Sequence, residues 1–555
     1  MNMHRFQHAL AGSTAIALLG IAGIAAFAPA AHAAGTTITV TTTTDDNTTN
    51  GNCSLREALA AANTDTAVDD CAAGNGADTI VLGAHTYTVS IDELDVLSDV
   101  TIQGTSAAST TIDYAPSGCT DICTRAFFVH GGGVLTMSNV TVENAPTAIR
   151  NSGTLHLSDS AIDSNGASCN VAHPLDVAGG IENHGPADLH NVTISNTARS
   201  IFDALGVTLT ADRLTMHANG GCDTAHGESI ENSGTIDLTN STFDADINHQ
   251  TDVDSIDNEP TGFLAIVHSH FLHNTGGQVT NIIANVGNAT ITDSAFDDNT
   301  ILSLHNQGRV SVRGTRFSTN HTQYYVPGAI ENFAGGLLNL GDSTIDHNIG
   351  AIGGGITNVT AARATLVDDT ITDNVALNGV WSGPDQPLPS GAITNDSVMM
   401  LRNVTIARNQ VLGFHDGRYH AGGVVTMPHG YTAMSNSIIS DNTAQAPVTA
   451  PDCYGTIHSL GYNLVENTTD CSVGATTTGN VIGKSAHLYP LAANGGPTMT
   501  SLPRWDSPEV DSANPATPDN DNQAKCAELD QRGVARPRDG NADGTSRCDM
   551  GAVER

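Results

Sequence analysis

Residues 230–246 read IENSGTIDLTNSTFDAD. An Ile, an Asn two places on and a Gly two places later open the segment. Residues 235–239 then alternate polar and apolar side chains, the mark of a strand with one buried face. A polar turn, a second short strand around Phe243 and a closing Asp follow. The same order returns at 149–165 (IRNSGTLHLSDSAIDSN), 181–197, 283–299, 304–320, 330–348, 356–374 and 393–409, with a weaker copy at 425–442. A degenerate copy at 206–219 fills the long gap between Asn183 and Asn232. The marker Asn residues 232, 258 and 285, and again 306, 332 and 358, lie 26 or 27 residues apart. A period of this size signals a solenoid or an array. Alternation with period two excludes the helical repeats. Two Trp in the whole chain, with a single Trp-Asp pair (Trp505-Asp506) that lies outside the repeats, argue against a propeller.

The expected fold is therefore all-β, a right-handed single-stranded parallel β-helix in which each repeat makes one coil. Inward Ile, Val, Leu and Phe stack in columns, and outward Thr, Ser and Asp face water. Asn151, Asn183, Asn232, Asn285 and Asn332 are expected to form a hydrogen-bonded ladder inside the turn. A dozen or so coils between residues 80 and 442 would stack to roughly 60–75 Å at the strand spacing. Such a rod has two open ends, each needing a cover.

Composition narrows the function. Of 555 residues, 58 are acidic and 21 basic, giving a net charge of −37. A chain with Lys484 and Lys525 as its two lysines lacks the basic surface of a nucleic-acid binder. Residues 1–33 read as a cleaved secretory signal: Arg5, an apolar run from about residue 15 to 28, and Ala31-His32-Ala33. The run is too short for a membrane span and no later stretch reaches that length, so no span is expected in the mature chain. The expected location is extracellular or cell-surface, and the expected state is a monomer.

Export permits disulfides. The ten cysteines group along the chain as Cys53 and Cys71, Cys119 and Cys123, Cys169 and Cys222, Cys453 and Cys471, and Cys526 and Cys548. An even count with local grouping favours five bridges, with connectivity left open by the sequence. No Cys-x-x-Cys supports zinc.

Residues 34–79 are expected to cap the N-terminal end. Ser54 and Glu57 form an S-x-x-E capping box, and Leu55, Ala58, Leu59 and Ala62 share one helical face. The run C-S-L-R-E-A from Cys53, followed by A-A-N and A-D-T-I-V-L, resembles the CSLREA domain of secreted bacterial β-helix proteins. N-G-G-P-T from Asn494, D-Q-R-G from Asp530, R-P-R-D-G from Arg536 and C-D-M-G-A-V-E from Cys548 resemble the choice-of-anchor Q domain. The resemblance covers some 50 residues at the front and 60 at the back. It implies a β-helix over 80–450, a C-terminal domain over 451–555 and an extracellular place, without supplying an activity.

Three kinds of site suggest themselves. Asp539, Asn541, Asp543 and Thr545, with Gly544 at the turn, match the start of a calcium loop, and Asp549 is the nearest substitute for the missing bidentate Glu. Asp244, Asp246, Asp252, Asp254 and Asp257 are also acidic, but read as solvated turns. His268 and His270 share a strand face with His273 close by, which chance explains in a His-rich chain. Insertions between coils carry Trp381, Phe414 and Tyr419, aromatics suited to stacking on a sugar or binding a protein. Arg309, Arg313 and Arg316 form the densest basic group, with Arg309 and Arg313 on one strand face. Asp368-Asp369 and Asp297-Asp298 are adjacent acids at the recurring turn. The favoured expectation is a non-enzymatic, adhesin-like protein that binds a polysaccharide or an extracellular protein. The alternatives are a polysaccharide lyase or glycoside hydrolase, and a passive structural rod. Calcium is the one cofactor expected; no organic cofactor is.

Overall fold

The computed structural model describes residues 34–116, 124–166, 178–220, 228–248, 254–276, 280–322, 326–333, 335–359, 361–377, 388–413, 420–445 and 450–555. The repeat folds as a parallel β-helix. In the segment quoted first, Ile230–Asn232, Thr235–Thr239 and Thr242–Asp244 are the three strands of one coil. Each pairs in parallel with its equivalent one repeat later: Ile230 with Ile256, Thr235 with Phe263 and Thr242 with His270. The third strands of successive coils build a sheet of sixteen strands among the described residues. Such an edge-to-edge stack satisfies every coil's backbone groups from its two neighbours.

The apolar columns predicted from alternation are present. Phe243, Phe271, Phe296 and Phe317 are fully buried, their rings stacked with centroids 4.5–4.8 Å apart. The spacing is that of the strands themselves, so pairing the backbones also sets the ring contacts.

Polar side chains form three further columns. Asn232 Nδ2 donates to Asn258 Oδ1 at 2.8 Å. The relay continues through Asn285, Asn306, Asn332, Asn358 and Asn395 to the Thr432 hydroxyl, each step 2.6–2.8 Å. Below it, Asn151 donates to Asn183 and Asn183 to Asp203. A second ladder, at the Asn closing each repeat, runs from Asn274 through Asn299, Asn320, Asn348, Asn374, Asn409 and Asn442 to Asp452. In a third, the hydroxyls of Ser269, Ser294, Thr315 and Ser343 accept from the backbone N–H one coil below.

The corners explain the Asp and Asn between strands. One residue at each of two corners takes a left-handed conformation: Asn240, Asp293, Asp342, Asp368 and Asn403 at the first, Asp298, His347, Asp373 and Asp441 at the second. Asp and Asn tolerate positive φ better than most residues. Much of the negative charge is thus a by-product of turning the chain.

At the N-terminal end the helix α1 spans Leu55–Thr64, with the Ser54–Glu57 capping box formed and Cys53 bonded to Cys71. The strand Ala34–Thr39 pairs with Ala77–Val81, so the first coil already begins inside the cap segment. The coils also run past residue 450. Cys453–Gly461 pairs with Cys471–Ala475, and Leu464–Val465 with Val481–Ile482, and a Cys453–Cys471 bridge holds this end. The β-helix therefore extends to residue 482, some thirty residues beyond the boundary expected from the repeat, because these coils lack the marker Asn.

Residues 483–555 lie along the flank of the rod instead of only over its end. Thr498 Oγ1 donates to the Asp342 carbonyl, Asn436 Nδ2 to the Ala524 carbonyl, and the Ala552 N–H to Thr405 Oγ1. Cys526 and Cys548 are both buried here as free thiols. Each touches the other, which raises the Cys548 pKa, and burial adds to the shift. The bridge expected between Cys526 and Cys548 is thus replaced by a thiol contact in a cluster with Leu488, Ala513 and Met550. Cys119, Cys123, Cys169 and Cys222 lie outside the described residues.

Asp203 is the weak rung of the first ladder. It is fully buried, its Oδ2 has no hydrogen-bond partner, and burial pushes its pKa up to about 7 against the donated bond from Asn183. Between the unfolded carboxylate's value and about 7, the folded chain keeps a proton that the unfolded chain has lost. Stability therefore falls as pH rises through that window and is level above it. Asp203→Asn is expected to stabilise the rod by roughly 1–3 kcal/mol near pH 8 and hardly at all near pH 4. Urea unfolding at both pH values checks this; an equal effect at both would count against it.

Candidate binding groove

The middle strands of successive coils present their outward residues as a flat, exposed face. One row across it reads Phe263, Asn288, Arg309, Leu337, Arg363, Val398 and Tyr431, each paired in register with the next. The next row inward reads Asp237, Ala265, Thr290, Ser311, Asn339 and Thr365. From Phe263 to Arg363, and from Asp237 to Thr365, the two rows line a shallow groove of about 530 Å³; Val398 and Tyr431 lie on the same face beyond it. Phe263 and Tyr431 are exposed, with Tyr431 stacked on His458 at 4.4 Å. Asp237 is shifted upward by burial.

The three arginines singled out from the sequence part company here. Arg313 Nη2 lies 2.6 Å from Asp342, and Arg316 lies 2.8 Å from the buried Asp346. Arg309 forms no ion pair among the described residues, and neither does Arg363 two coils further on. Their strands are separated by about 9.6 Å, twice the strand spacing. Two unpaired guanidinium groups with apolar and neutral hydrogen-bonding neighbours form an anion-accepting surface on an otherwise acidic rod. Sequence reading found Arg309 but missed Arg363, because their pairing appears only when coils are set in register.

Other predicted sites are dispersed. Trp381, Phe414 and Tyr419 lie outside the described residues. His268 faces Asp293 at 3.7 Å, His270 faces Asp297 at 2.9 Å and His273 faces Asp244 at 2.9 Å, so the three histidines serve different carboxylates. Among the described residues no group of three or more His, Cys, Asp or Glu is arranged to hold a metal ion.

The solvated-turn reading of the Asp244–Asp257 acids fails for two of them. Asp246 is fully buried and accepts from the Asn219 N–H at 3.0 Å. Asp254 accepts from the Asn281 N–H at 2.7 Å, and burial pushes it to about 6. Asp257 rises to about 8, by burial first and then by the charges of Asp254, Glu259, Glu228 and Glu231. Asp252 lies outside the described residues.

In the 539–545 loop, Gly544 has φ +91 and supplies the sharp turn. The loop's oxygens satisfy its own backbone. Asp539 accepts from the N–H groups of Asp543 and Gly544, Asn541 accepts from Asp543, and Asp543 accepts from Thr545, all at 2.8–3.0 Å. Asp549 is buried, and its two oxygens accept from the Asp511 N–H (2.6 Å) and the Arg555 N–H (2.7 Å). Both of its oxygens are thereby taken up by backbone donors outside the loop.

The C-terminal motif residues serve docking. Gln531 Nε2 donates to the Ser343 carbonyl and to Thr344 Oγ1, and its Oε1 accepts from Thr370. Arg536 is fully buried between Asp368 of the rod (3.0 Å) and Glu554 of the same flank (2.9 Å). Burial works against the Arg536 charge, but those two carboxylates outweigh it and its pKa is raised. Burial lifts Asp368 to about 8 against the opposing pull of Arg536.

No protein-family profile matches the chain, and no curated protein does. Among solved structures it is similar to a polysaccharide lyase family 6 alginate lyase, AlyGC, with TM-score 0.31 and 11% identity over 83% of this chain. The match spans 55% of that enzyme, just over half its length. It is also similar to the A-module of the Azotobacter vinelandii mannuronan C-5 epimerase AlgE4 (TM-score 0.27, 12% identity, 68% of this chain and 91% of that one). A third is the pectate lyase Pel9A (TM-score 0.24, 10% identity, 87% and 88%).

Removing Arg536 would leave Asp368 and Glu554 buried without their cation, a loss of about 3–5 kcal/mol. Arg536→Ala is expected to loosen the flank while the coils stay paired. Limited proteolysis should then cut within 483–555 faster than in the parent, with the β-sheet circular dichroism unchanged. Equal cleavage rates would contradict a docking role.

Proposed function

We propose that this protein is an exported, cell-surface or extracellular rod that binds an acidic polysaccharide along the groove. The observation that carries this reading is the Arg309–Arg363 pair. The two guanidinium groups lack ion-pair partners, sit two coils apart and flank Leu337. Arg takes carboxylates in paired hydrogen bonds, and Thr290, Ser311, Asn339 and Thr365 offer partners to hydroxyls along the same face. Phe263 supplies a face for sugar stacking within the groove, and Tyr431 another on the same row beyond its end. Long-range repulsion between an acidic rod and an acidic polymer is screened at physiological salt, while contacts in the groove are shorter than the screening length.

One observation favours the enzymatic alternative, a lyase or hydrolase acting on the same polymer. Asp342 stands at a corner of its coil at the edge of the face and is pushed above the usual carboxylate range. The cause is burial, ahead of the opposing charge of Arg313. A carboxyl group raised above the usual range at the edge of an open face suits a general acid.

Arg309→Ala with Arg363→Ala is expected to weaken binding of polymannuronate or pectate roughly 10–100-fold, at about 1.5–3 kcal/mol for the pair, and to leave neutral dextran unaffected. Calorimetry or affinity electrophoresis reads this. Retained affinity in the double variant would sink the groove reading. New reducing ends or unsaturated uronate products, lost in Asp342→Asn, would establish the enzymatic reading. Calcium at 539–545 is a separate proposal: titrating the full chain at millimolar calcium should release or absorb heat that Asp539→Ala abolishes, and a flat titration would discard it.

A further inference from the structure

The two ends of the rod are finished differently. At the N-terminal end α1 lies over the first coils, with Leu55, Ala58, Leu59 and Ala62 buried against them. The last coil has no such cover. Cys471–Ala475 pairs on one side with Cys453–Gly461, and Val481–Ile482 with Leu464–Val465. Neither strand has a partner on its other side among the described residues. Burial falls off accordingly. Ile457 and Val465 in the coil below are fully buried. Val473, in register with Ile457, is half-buried, and Ile482, in register with Val465, is 46% exposed. The apolar columns of the rod thus end in an open cross-section.

The backbone is open at the same place. In a parallel ladder, alternate residues turn their bonding groups to opposite neighbours. The Gly455 N–H donates to the Asp470 carbonyl at 3.2 Å, and the Thr476 N–H to the Ser459 carbonyl at 3.1 Å. Those two bonds fix the alternation: the Ser472 and Gly474 N–H groups face the rod, and the Val473 N–H and C=O face away from it. Exposed edges are ordinarily blunted by charge, by proline or by a covering element. Here no charged residue and no proline stands between Asp470 and Lys484.

We propose that this end is a self-association surface, at which two copies of the chain meet end to end. Their Cys471–Ala475 strands pair antiparallel about a two-fold axis at Val473, each Val473 donating its N–H to the other's carbonyl, and the two open apolar columns cover one another. Unpaired backbone groups at a strand edge call for another strand. Charge favours a second copy as its source. A net charge of −37 opposes side-by-side packing, while end-to-end contact joins two uncharged edges and leaves the acidic flanks pointing apart. The edge is also its own complement, since the two-fold sets Ser472 opposite the partner's Gly474 and brings no like charges face to face. The strand is short, so the contact is expected to be reversible. The monomer expected from the sequence becomes one half of the assembly. This contact is independent of the groove.

The test is sedimentation of the purified full chain over roughly 1 μM to 1 mM, with small-angle scattering at both ends of that range. The mass is expected to rise toward two chains and the maximum dimension nearly to double. Val473→Pro removes the outward N–H while sparing the bonds to the rod, and should weaken association about tenfold or more. Ser472→Asp with Gly474→Asp sets carboxylates directly opposite one another across the two-fold. The nearest atom to a Cβ added at Gly474 is Ser472 Oγ at 4.0 Å, so the backbone accommodates the change. This variant should also dissociate, and it keeps the test open should proline unravel the last coil. Unchanged circular dichroism identifies a folded variant. A parent chain that stays monomeric throughout overturns the proposal, whatever other strand the edge accepts. So does a dimer no longer than the monomer, or one that the folded variants leave intact.

Discussion

The rod depends on one constraint: every coil must meet its neighbour in the same register. Backbone pairing alone tolerates a slip, since one strand edge resembles another. The buried Asn amides do not. Asn258 accepts from Asn232 through Oδ1 and donates through Nδ2 to Asn285, so each amide is satisfied by the coil on either side. A coil out of register would leave a buried donor and a buried acceptor unpaired, at about 1–3 kcal/mol each. The phenylalanine stack adds a shape requirement at the same spacing. Register in turn fixes which outward residues become neighbours, and so creates the Arg309–Leu337–Arg363 row.

The same logic explains the flank. A solenoid's side presents corner residues with left-handed backbones, whose side chains and carbonyls are only partly used by the neighbouring coils. The C-terminal segment takes up several of them: the Asp342 carbonyl, the Asp368 carboxylate, and the Asn403 and Asn436 amides. Burying Arg536 between Asp368 and Glu554 gives this attachment a specific position, because a buried cation accepts few alternative sites. The flank stands where it does for that reason.

The acidic balance divides into parts with different causes. Asp298, Asp373 and Asp441 sit where the chain turns with positive φ. Asp203, Asp246, Asp369 and Asp452 occupy ladder positions where a neutral Asn or Ser stands in other coils, and burial raises the pKa of each. The formal charge of −37 thus overstates what the folded surface carries at neutral pH. An anion-binding face on this chain is less paradoxical than the count implies.

The sequence by itself determined the coil, its period, its inward columns, the first Asn ladder and the N-terminal helix with its cap. These are local or periodic: alternation chooses the buried face, and a fixed Asn repeats with the coil. It missed the second ladder, which it read as a turn, because a buried Asn and a solvated Asn look alike in a single chain. The end of the coils at 482 was hidden for the same reason, once the marker Asn stops. Arg309 was visible as part of a basic group, but sequence proximity grouped it with Arg313 and Arg316, which are neutralised by Asp342 and Asp346. Only the tertiary structure set Arg309 beside Leu337 and Arg363, from 28 and 54 positions along the chain. Only it laid the C-terminal segment against Arg402. Those contacts depend on how coils stack and where the flank finds its buried ion pairs, and neither is written in any short stretch of residues.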